Sequence, residues 1–235
     1  MSLSTLQGIE SPPDLTEQVY KRLLDAVCSG ELAPGTRLTQ EELAASLSVS
    51  RQPVLQGLRM LKRDGLVIDT GRRGLIVAPI DPALIENLYE VRGVLEGLAA
   101  RLATLAGAKI DPGLVERGRA ALARGHFPSL IDADMAFHNA IYAASGNPLI
   151  AESASRHWHH IRRAMGGVLQ AEGPRDWVWD EHQAIVDAIN TGDAAAAERR
   201  ARAHCEAGGR VLATRLKDRR RAAPVTTANR GGMQP

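Results

Sequence analysis

The spacing of apolar and polar residues before residue 80 predicts three short helices followed by a two-stranded hairpin. Apolar residues recur at helical intervals over residues 14–29, 39–47 and 50–64, and two β-prone runs flank a glycine-containing turn within residues 66–78. Helix-start patterns agree with these limits: Asp14 with Glu17, Thr39 with Glu42, and Ser50 ahead of Pro53. Three helices and a hairpin in this order predict a winged helix-turn-helix domain over residues 14–79.

The pattern changes after this segment, because Pro79 and Pro82 interrupt any continuing element. Glycine and proline punctuation then separates six helical stretches, near residues 83–107, 112–124, 129–145, 148–171, 176–190 and 193–217. We therefore expect a mainly α fold, with a C-terminal all-α antiparallel helical bundle over residues 83–217. Residues 1–13 and 218–235 lack this periodicity and are expected to form flexible tails.

Composition narrows the class of protein. The chain has 235 residues, of which 44% are hydrophobic and 3% aromatic, so two modest domains with aliphatic cores are expected. It contains no uninterrupted apolar run of about 18 residues, which excludes a membrane span, and it begins without the basic and apolar regions of a secretory signal. Two cysteines exclude a disulfide scaffold and suit a reducing cytoplasm, where we expect the protein to be located.

Basic residues concentrate on the third helix and the hairpin, although the net charge of the chain is only +2. Arg51 and Gln52 begin the third helix, where arginine suits a guanine edge, glutamine an adenine edge, and Ser50 a phosphate. Any one of these charges also suits a solvated helix surface, but their order along the segment favours double-stranded DNA as the ligand. The candidate DNA-binding residues are Ser50, Arg51, Gln52, Arg59, Arg72 and Arg73.

The predicted bundle contains a candidate metal site. Asp134 and His138 are four residues apart on one helix, so their side chains share a face. His182 lies early in another helix and His204 in the last, and an antiparallel bundle can bring all four residues together in its core. Three imidazoles and one carboxylate suit Zn²⁺, Ni²⁺, Fe²⁺ or Mn²⁺. From spacing alone, an Asp/His pair of this kind is more often a salt-linked surface pair or a hydrogen-bonded core histidine.

The N-terminal segment resembles the GntR family of bacterial transcription regulators over Val19–Pro79. The resemblance is carried by Pro34-Gly35-Thr36-Arg37-Leu38, by Val49-Ser50-Arg51-Gln52-Pro53-Val54, and by Leu58-Arg59-Met60-Leu61 with Gly65-Leu66-Val67. The resemblance implies operator recognition by the third helix. The chain departs from the family pattern at Glu41 and Leu55, where the family has arginine, and these departures leave the operator sequence open.

The C-terminal segment resembles the FCD ligand-binding domain of the FadR subfamily over about residues 83–215. The residues that carry this resemblance include Tyr89-Glu90-Val91-Arg92, Phe137-His138, Gly146-Asn147-Pro148, Glu181-His182 and Ala203-His204. The resemblance implies a divalent metal held by Asp134, His138, His182 and His204, and a small organic or sugar acid as effector.

The resemblance also suggests which residues bind the effector. Arg92 is the candidate cation, with a buried salt bridge to Glu96 as the alternative interpretation. Arg163 is a further candidate, together with its neighbour Arg162. Asn139 is equally consistent with a cavity wall and with the protein surface.

These observations predict a ligand-responsive transcription regulator that acts as a repressor and binds a palindromic operator as a homodimer. One alternative is the same regulator with a purely structural metal site. The other is a metal-dependent enzyme, but no HExxH-like motif or additional carboxylate supplies a general base, and the winged helix would have no role. We therefore expect a regulator and not an enzyme.

Overall fold

The computed structural model describes residues 14–71, 74–172 and 177–222. The helices are α1 (Leu15–Ser29), α2 (Gln40–Leu47), α3 (Arg51–Arg63), α4 (Pro82–Leu105), α5 (Gly113–Arg124), α6 (Phe127–Ala144), α7 (Pro148–Glu172), α8 (Trp177–Thr191) and α9 (Ala194–Ala222). The strands are β1 (Arg37–Leu38), β2 (Val67–Asp69) and β3 (Leu75–Val77). The chain divides into two compact units: unit 1 holds residues up to 80 together with Trp158–Gly166, and unit 2 holds the remainder.

Unit 1 contains a winged helix. Helices α1, α2 and α3 pack around an aliphatic core, and an antiparallel sheet in the order β1-β3-β2 completes the domain. The register places Arg37 opposite Ile76 and Val67 opposite Val77. The fully buried side chains of this core include Val54, Leu61, Leu66 and Val77. The predicted winged helix-turn-helix architecture is confirmed.

Strand β1 is the element of unit 1 that the sequence analysis missed. It spans only Arg37–Leu38, which is too short to show the alternation that identifies a strand. Backbone bonds join the segment to β3, since Gly35 N donates to Val77 O and Val77 N donates to Thr36 O, each at 2.9 Å. The predicted two-stranded hairpin is therefore part of a three-stranded sheet.

The helix starts in unit 1 follow the predicted capping patterns to different extents. Thr39 caps α2, since its Oγ1 accepts from Glu42 N at 3.3 Å; the Glu42 carboxylate bonds the Thr39 hydroxyl at 2.5 Å, whereas in a capping box it would bond the backbone N–H. Asp14 caps α1 by accepting from Thr16 N at 2.9 Å. Ser50 precedes α3 but makes no side-chain capping bond, so that part of the prediction was wrong. The hydroxyl of Ser50 lies exposed at the N-terminus of α3.

Unit 2 is a helical bundle, as predicted. Helices α4 and α9 run antiparallel, with Lys217 beside Glu86 and Glu198 beside Gly97. A Cβ at Gly97 would lie 3.2 Å from the Glu198 carbonyl oxygen, so small residues allow the two backbones to approach closely. The bundle core is mainly aliphatic, with Phe137, Tyr142 and Trp179 as its large aromatic members. No helix in the described part of the chain is long and apolar enough to cross a membrane.

The C-terminal end of the bundle differs from the prediction. Helix α9 continues to Ala222, so residues 218–222 are helical and not part of a flexible tail. Arg219, Arg220 and Arg221 occupy the last turn, where positive charge interacts favourably with the helix carbonyls. Arg219 also donates to the Gly167 carbonyl. The predicted flexible tails over residues 1–13 and 223–235 lie outside the described residues.

One stretch of α7 belongs to unit 1. Trp158–Gly166 groups with the winged helix, whereas the sequence analysis assigned all of α7 to the helical domain over residues 83–217. The apolar spacing of a helix shows which side is buried but not which core covers it, so periodicity could not reveal this assignment.

Replacing Gly209 with alanine is expected to lower the free energy of unfolding by about 1–3 kcal/mol. The new Cβ would lie 2.4 Å from Tyr89 Cβ, which forces the ring or the helix to shift. Gly208→Ala is the matched control, because its Cβ would lie at an ordinary 3.5 Å from the Tyr89 ring. Urea unfolding followed by circular dichroism compares the two variants, and equal stability would contradict this packing.

Candidate functional site

The N-terminal end of α3 presents the predicted DNA-contacting residues to solvent. Its opposite face is buried in unit 1 through Val54, Leu58 and Leu61. The exposed members of the predicted set are Ser50, Arg51, Gln52 and Arg59. This arrangement exposes a guanidinium and an amide of the kind that bind base edges. Arg72 and Arg73, at the predicted tip of the hairpin, lie outside the described residues.

Arg51 forms an ion pair with Glu41, one of the two departures from the GntR pattern. The Arg51 Nη2 and Glu41 Oε1 atoms are 3.2 Å apart, and the two side chains are 66% and 78% exposed. An ion pair this exposed contributes at most about 1 kcal/mol, so Arg51 can exchange Glu41 for another partner at low cost. Leu55, the second departure, is half-buried.

The four predicted metal-ligating residues come together in unit 2. Asp134 and His138 lie on α6, His182 on α8 and His204 on α9. His182 Nε2 is 3.1 Å from His204 Nε2. The Asp134 Oδ1 atom is 3.6 Å from His182 Nε2 and 3.8 Å from His138 Nε2. One nitrogen from each of the three histidines lies within 4.8 Å of the others.

The chemistry of this cluster fits a divalent transition metal. Ligand atoms bound to one such ion at 2.0–2.2 Å lie roughly 3.0–3.5 Å apart, close to the separations between these side chains. Burial, together with His204 and His138, lowers the pKa of His182 well below its usual range, so its imidazole is neutral. Neutral imidazole is the form that binds metals. Among the described residues, His182 Nδ1 has no hydrogen-bond partner.

Two carboxylates orient the histidines from outside the cluster. His138 Nδ1 lies 2.8 Å from Glu96 Oε1, and His204 Nδ1 lies 2.7 Å from Glu181 Oε2. A proton on Nδ1 that is donated to a carboxylate leaves the lone pair of Nε2 directed at the cluster. Carboxylates in this position fix the ring orientation of metal-binding histidines and increase their basicity.

Glu96 joins the histidine cluster to a buried cation. Its Oε1 atom also accepts from Arg92 Nε at 3.2 Å and from the Tyr142 hydroxyl. Burial alone would raise the pKa of Glu96, but His138, Arg92 and Tyr142 outweigh it and lower the pKa to about 2. The carboxylate is therefore ionised at neutral pH and neutralises the buried guanidinium.

The residues predicted to bind an effector lie in three different environments. Arg92 is 3% exposed and forms the salt bridge to Glu96 that was its alternative interpretation. Asn139 lies on the exposed side of α6, and the structure does not bring it to the histidine cluster. Arg163 belongs to unit 1, where it donates to the Ala78 carbonyl, and its neighbour Arg162 pairs with Asp25.

The orienting residues were missed by the sequence analysis. Glu96 was considered only as a salt-bridge partner of Arg92, and Glu181 and Tyr142 were not considered. Tyr142 lies one helical turn after His138 on α6, which is a usable signal. Glu181 precedes His182 in sequence yet contacts His204, so its spacing gives no indication of its partner.

Comparison with known families finds two matches that together span most of the chain. Residues 15–77 match the family described as bacterial regulatory proteins, gntR family. Residues 87–207 match the FCD domain family.

Two relatives are similar to this chain along most of their length. An HTH-type transcriptional regulator in an unstable DNA locus of Streptomyces ambofaciens is 33% identical over 195 residues, covering 80% of this chain and 81% of the relative. The HTH-type transcriptional regulator YieP of Escherichia coli K12 is 30% identical over 215 residues, covering 80% and 92%.

Solved structures show the same fold. A GntR transcriptional regulator from Rhodococcus sp. RHA1 superposes with a TM-score of 0.70 at 24% identity, covering 84% of this chain and 96% of its own. E. coli McbR/YncC superposes with a TM-score of 0.72 at 22% identity, covering 85% and 97%.

Replacing Glu96 with glutamine is expected to lower the free energy of unfolding by about 3 kcal/mol, because it removes the charge that neutralises buried Arg92. Glu90→Gln, at an exposed position of the same helix, is expected to change it by less than about 0.5 kcal/mol. Urea unfolding at pH 7 measures both variants. Equal free energies of unfolding for the two variants would refute the buried ionic network.

Proposed function

Because this chain belongs to the gntR family of bacterial regulatory proteins and carries an FCD domain, we propose that it is a ligand-responsive repressor that binds its operator as a homodimer. It is a transcriptional regulator and not an enzyme, in agreement with its relatives. One observation carries the proposal: a single chain combines a winged helix that exposes arginines at its recognition end with a buried cluster of one aspartate and three histidines.

The N-terminal end of α3 would enter the major groove of double-stranded DNA in the cytoplasm. Arg51 would contact guanine O6 and N7, and Gln52 would contact adenine N6 and N7. Ser50 and Arg59 would contact phosphates and fix the register of the helix on the duplex. Arg72 and Arg73 would add phosphate contacts from the wing. Support for this assignment comes from the exposure of the α3 residues and from their position on the helix.

Asp134, His138, His182 and His204 would hold a Zn, Ni, Fe or Mn ion. When bound, such an ion supplies a Lewis acid that attracts a carboxylate. The chain's own contribution is orientation, since Glu96 holds the His138 ring and Glu181 holds the His204 ring.

The effector would be a small organic or sugar acid. Arg92 is the proposed cation, because it is linked through the shared Glu96 carboxylate to the imidazole of His138. An effector that alters this network would favour one arrangement of the regulator over another, which is the thermodynamic requirement for a response. Asn139 is not included because its side chain is exposed, nor is Arg163, which donates to Ala78.

A purely structural metal site is the second candidate for the cluster. Asp134, His138 and His182 are all buried, which is typical of closed structural sites. In this case the metal would stabilise the bundle and the regulator would respond to no carboxylate.

Helix α4 carries an apolar stripe suited to a second copy of this chain. The exposed large apolar residues of this helix are Leu84, Val91, Val94 and Leu105. Val91 is 50% exposed and Leu105 is 65% exposed. Antiparallel pairing about a two-fold axis near Val94 would bring Leu84 opposite Leu105 of the partner subunit. Such self-complementarity is what a symmetric dimer requires.

Selection from a random duplex library with the intact protein is expected to recover an inverted repeat, as a homodimer demands. Arg51→Ala is expected to weaken binding to that operator by about tenfold or more, because one bidentate base contact contributes roughly 1–3 kcal/mol. Arg22→Ala, at an exposed position of α1, is the control and should bind like the wild type. Footprinting and fluorescence anisotropy measure the loss. Unchanged operator binding by Arg51→Ala would refute the assignment of α3.

Elemental analysis of protein purified without a tag or chelator is expected to find about one Zn, Ni, Fe or Mn ion per chain. His138→Ala should lose the ion, while His126→Ala, at the exposed cap of the same helix, should retain it. Absence of metal from the wild-type protein, even after incubation with each ion, would refute the site. Operator binding is then monitored while carboxylates are added. This titration distinguishes a metal site that binds an effector from a purely structural metal site.

A further inference from the structure

The α7 segment Trp158–Gly166 is part of the DNA-binding unit, and the proposed function gives it no role. Besides α3, the segment contacts α1 and the residue after β3. These contacts are Cys28 Sγ to the His159 carbonyl at 3.6 Å, Arg162 Nη1 to Asp25 Oδ1 at 2.9 Å, and Arg163 Nη2 to the Ala78 carbonyl. Trp158–Gly166 is therefore an additional layer of unit 1, supplied from a distant part of the sequence.

His160 contacts the C-terminal end of α3. Its Nε2 atom lies 2.8 Å from the carbonyl oxygen of Asp64, the residue that caps this helix. Carbonyls at a helix C-terminus have no partner within the helix and must find one elsewhere. A Cβ at the next residue, Gly65, would lie 3.5 Å from the His160 ring, so the imidazole packs directly against the turn that ends the helix.

The same helix end is held from a second direction. The Asp64 side chain accepts from the Tyr20 hydroxyl at 2.7 Å, which joins α3 to α1. Burial lowers the pKa of His160, against an opposing effect of the hydrogen bond to Asp64, so the ring is neutral at pH 7 and donates through Nε2–H. Asp64 thus fixes α3 to α1 through its carboxylate and to the α7 segment through its carbonyl.

We infer that His160 is a positioning residue for DNA recognition: it fixes the C-terminal end of the helix whose N-terminal end carries Arg51 and Gln52. This inference rests on the proposed recognition role of α3. The helix has 13 residues and is therefore about 20 Å long. A tilt of about 5° at the anchored end moves the recognition end by roughly 2 Å, which is enough to break a base contact that needs a donor–acceptor distance near 3 Å. Phosphate contacts from flexible arginines tolerate such a shift.

The experiment compares binding to the selected operator with binding to a scrambled duplex of the same length and at the same salt concentration. The proteins are the wild type, His160→Ala, His160→Gln and His159→Ala, all as intact chains. His160→Gln retains a side-chain N–H donor. His159→Ala is the matched control, because residue 159 contributes its backbone carbonyl, and not its ring, to the contact with Cys28.

His160→Ala is expected to bind the operator five- to tenfold more weakly, in line with the loss of one hydrogen bond, and the scrambled duplex within about twofold of the wild type. His160→Gln is expected to recover most of the operator affinity, and His159→Ala to lose none. Substitution of a residue with only a structural role would weaken binding to the operator and to the scrambled duplex alike, so the ratio of these two affinities would not change. If His160→Ala does not fold, the test is made with His160→Gln alone. A fall in its ratio of operator affinity to scrambled-duplex affinity would contradict a role for the donated hydrogen bond.

Two negative results have different meanings. If His160→Ala keeps the wild-type ratio of operator affinity to scrambled-duplex affinity, the positioning role is overturned and the proposed function is unaffected. Failure of the wild-type protein to select any operator overturns recognition by α3, and the positioning role with it.

Discussion

Charged and polar groups buried in an aliphatic bundle constrain the structure of unit 2. Arg92, Glu96, Asp134, His138 and His182 are all buried, although the surrounding core is mainly apolar. An unpaired charge in such an environment costs several kcal/mol, so the charged groups among them must lie close to their partners. The partners come from α4, α6, α8 and α9, and these four helices cannot slide along one another without separating them. The glycines between α4 and α9 allow the close backbone approach that this register requires.

Unit 1 has the opposite distribution of charge. The basic residues of α3 at its recognition end lie on the surface, and the ion pair there, between Arg51 and Glu41, is open to solvent. Exposed pairs of this kind are weak and exchange partners readily, whereas breaking the buried network around Glu96 costs several kcal/mol. The two units therefore use charge differently: one keeps it available to a polyanion, and the other holds the candidate metal-binding side chains in place.

Local features of the sequence predicted much of this arrangement, and most of the misses share a physical cause. Helix starts, glycine stops and the four-residue spacing of Asp134 and His138 depend on neighbours within one helix, so they can be read along the chain. Strand β1, the partners of Glu96 and Glu181, and the place of Trp158–Gly166 depend on residues far away in sequence. Arg163 illustrates the difference, because its helix was predicted correctly while its partner, the Ala78 carbonyl, was not.

The carboxylate of Glu41 has a consequence for how this regulator searches a genome. A negative charge beside the leading arginine of α3 repels every phosphate, whatever the sequence of the duplex. At an operator, the base contacts proposed for Arg51 would offset that repulsion, but at other sites they would be missing. The residence time on random DNA would therefore be shortened more than the residence time on the operator. Since a genome offers on the order of a million or more competing sites, one acidic residue can improve occupancy of the correct site while lowering overall affinity for DNA.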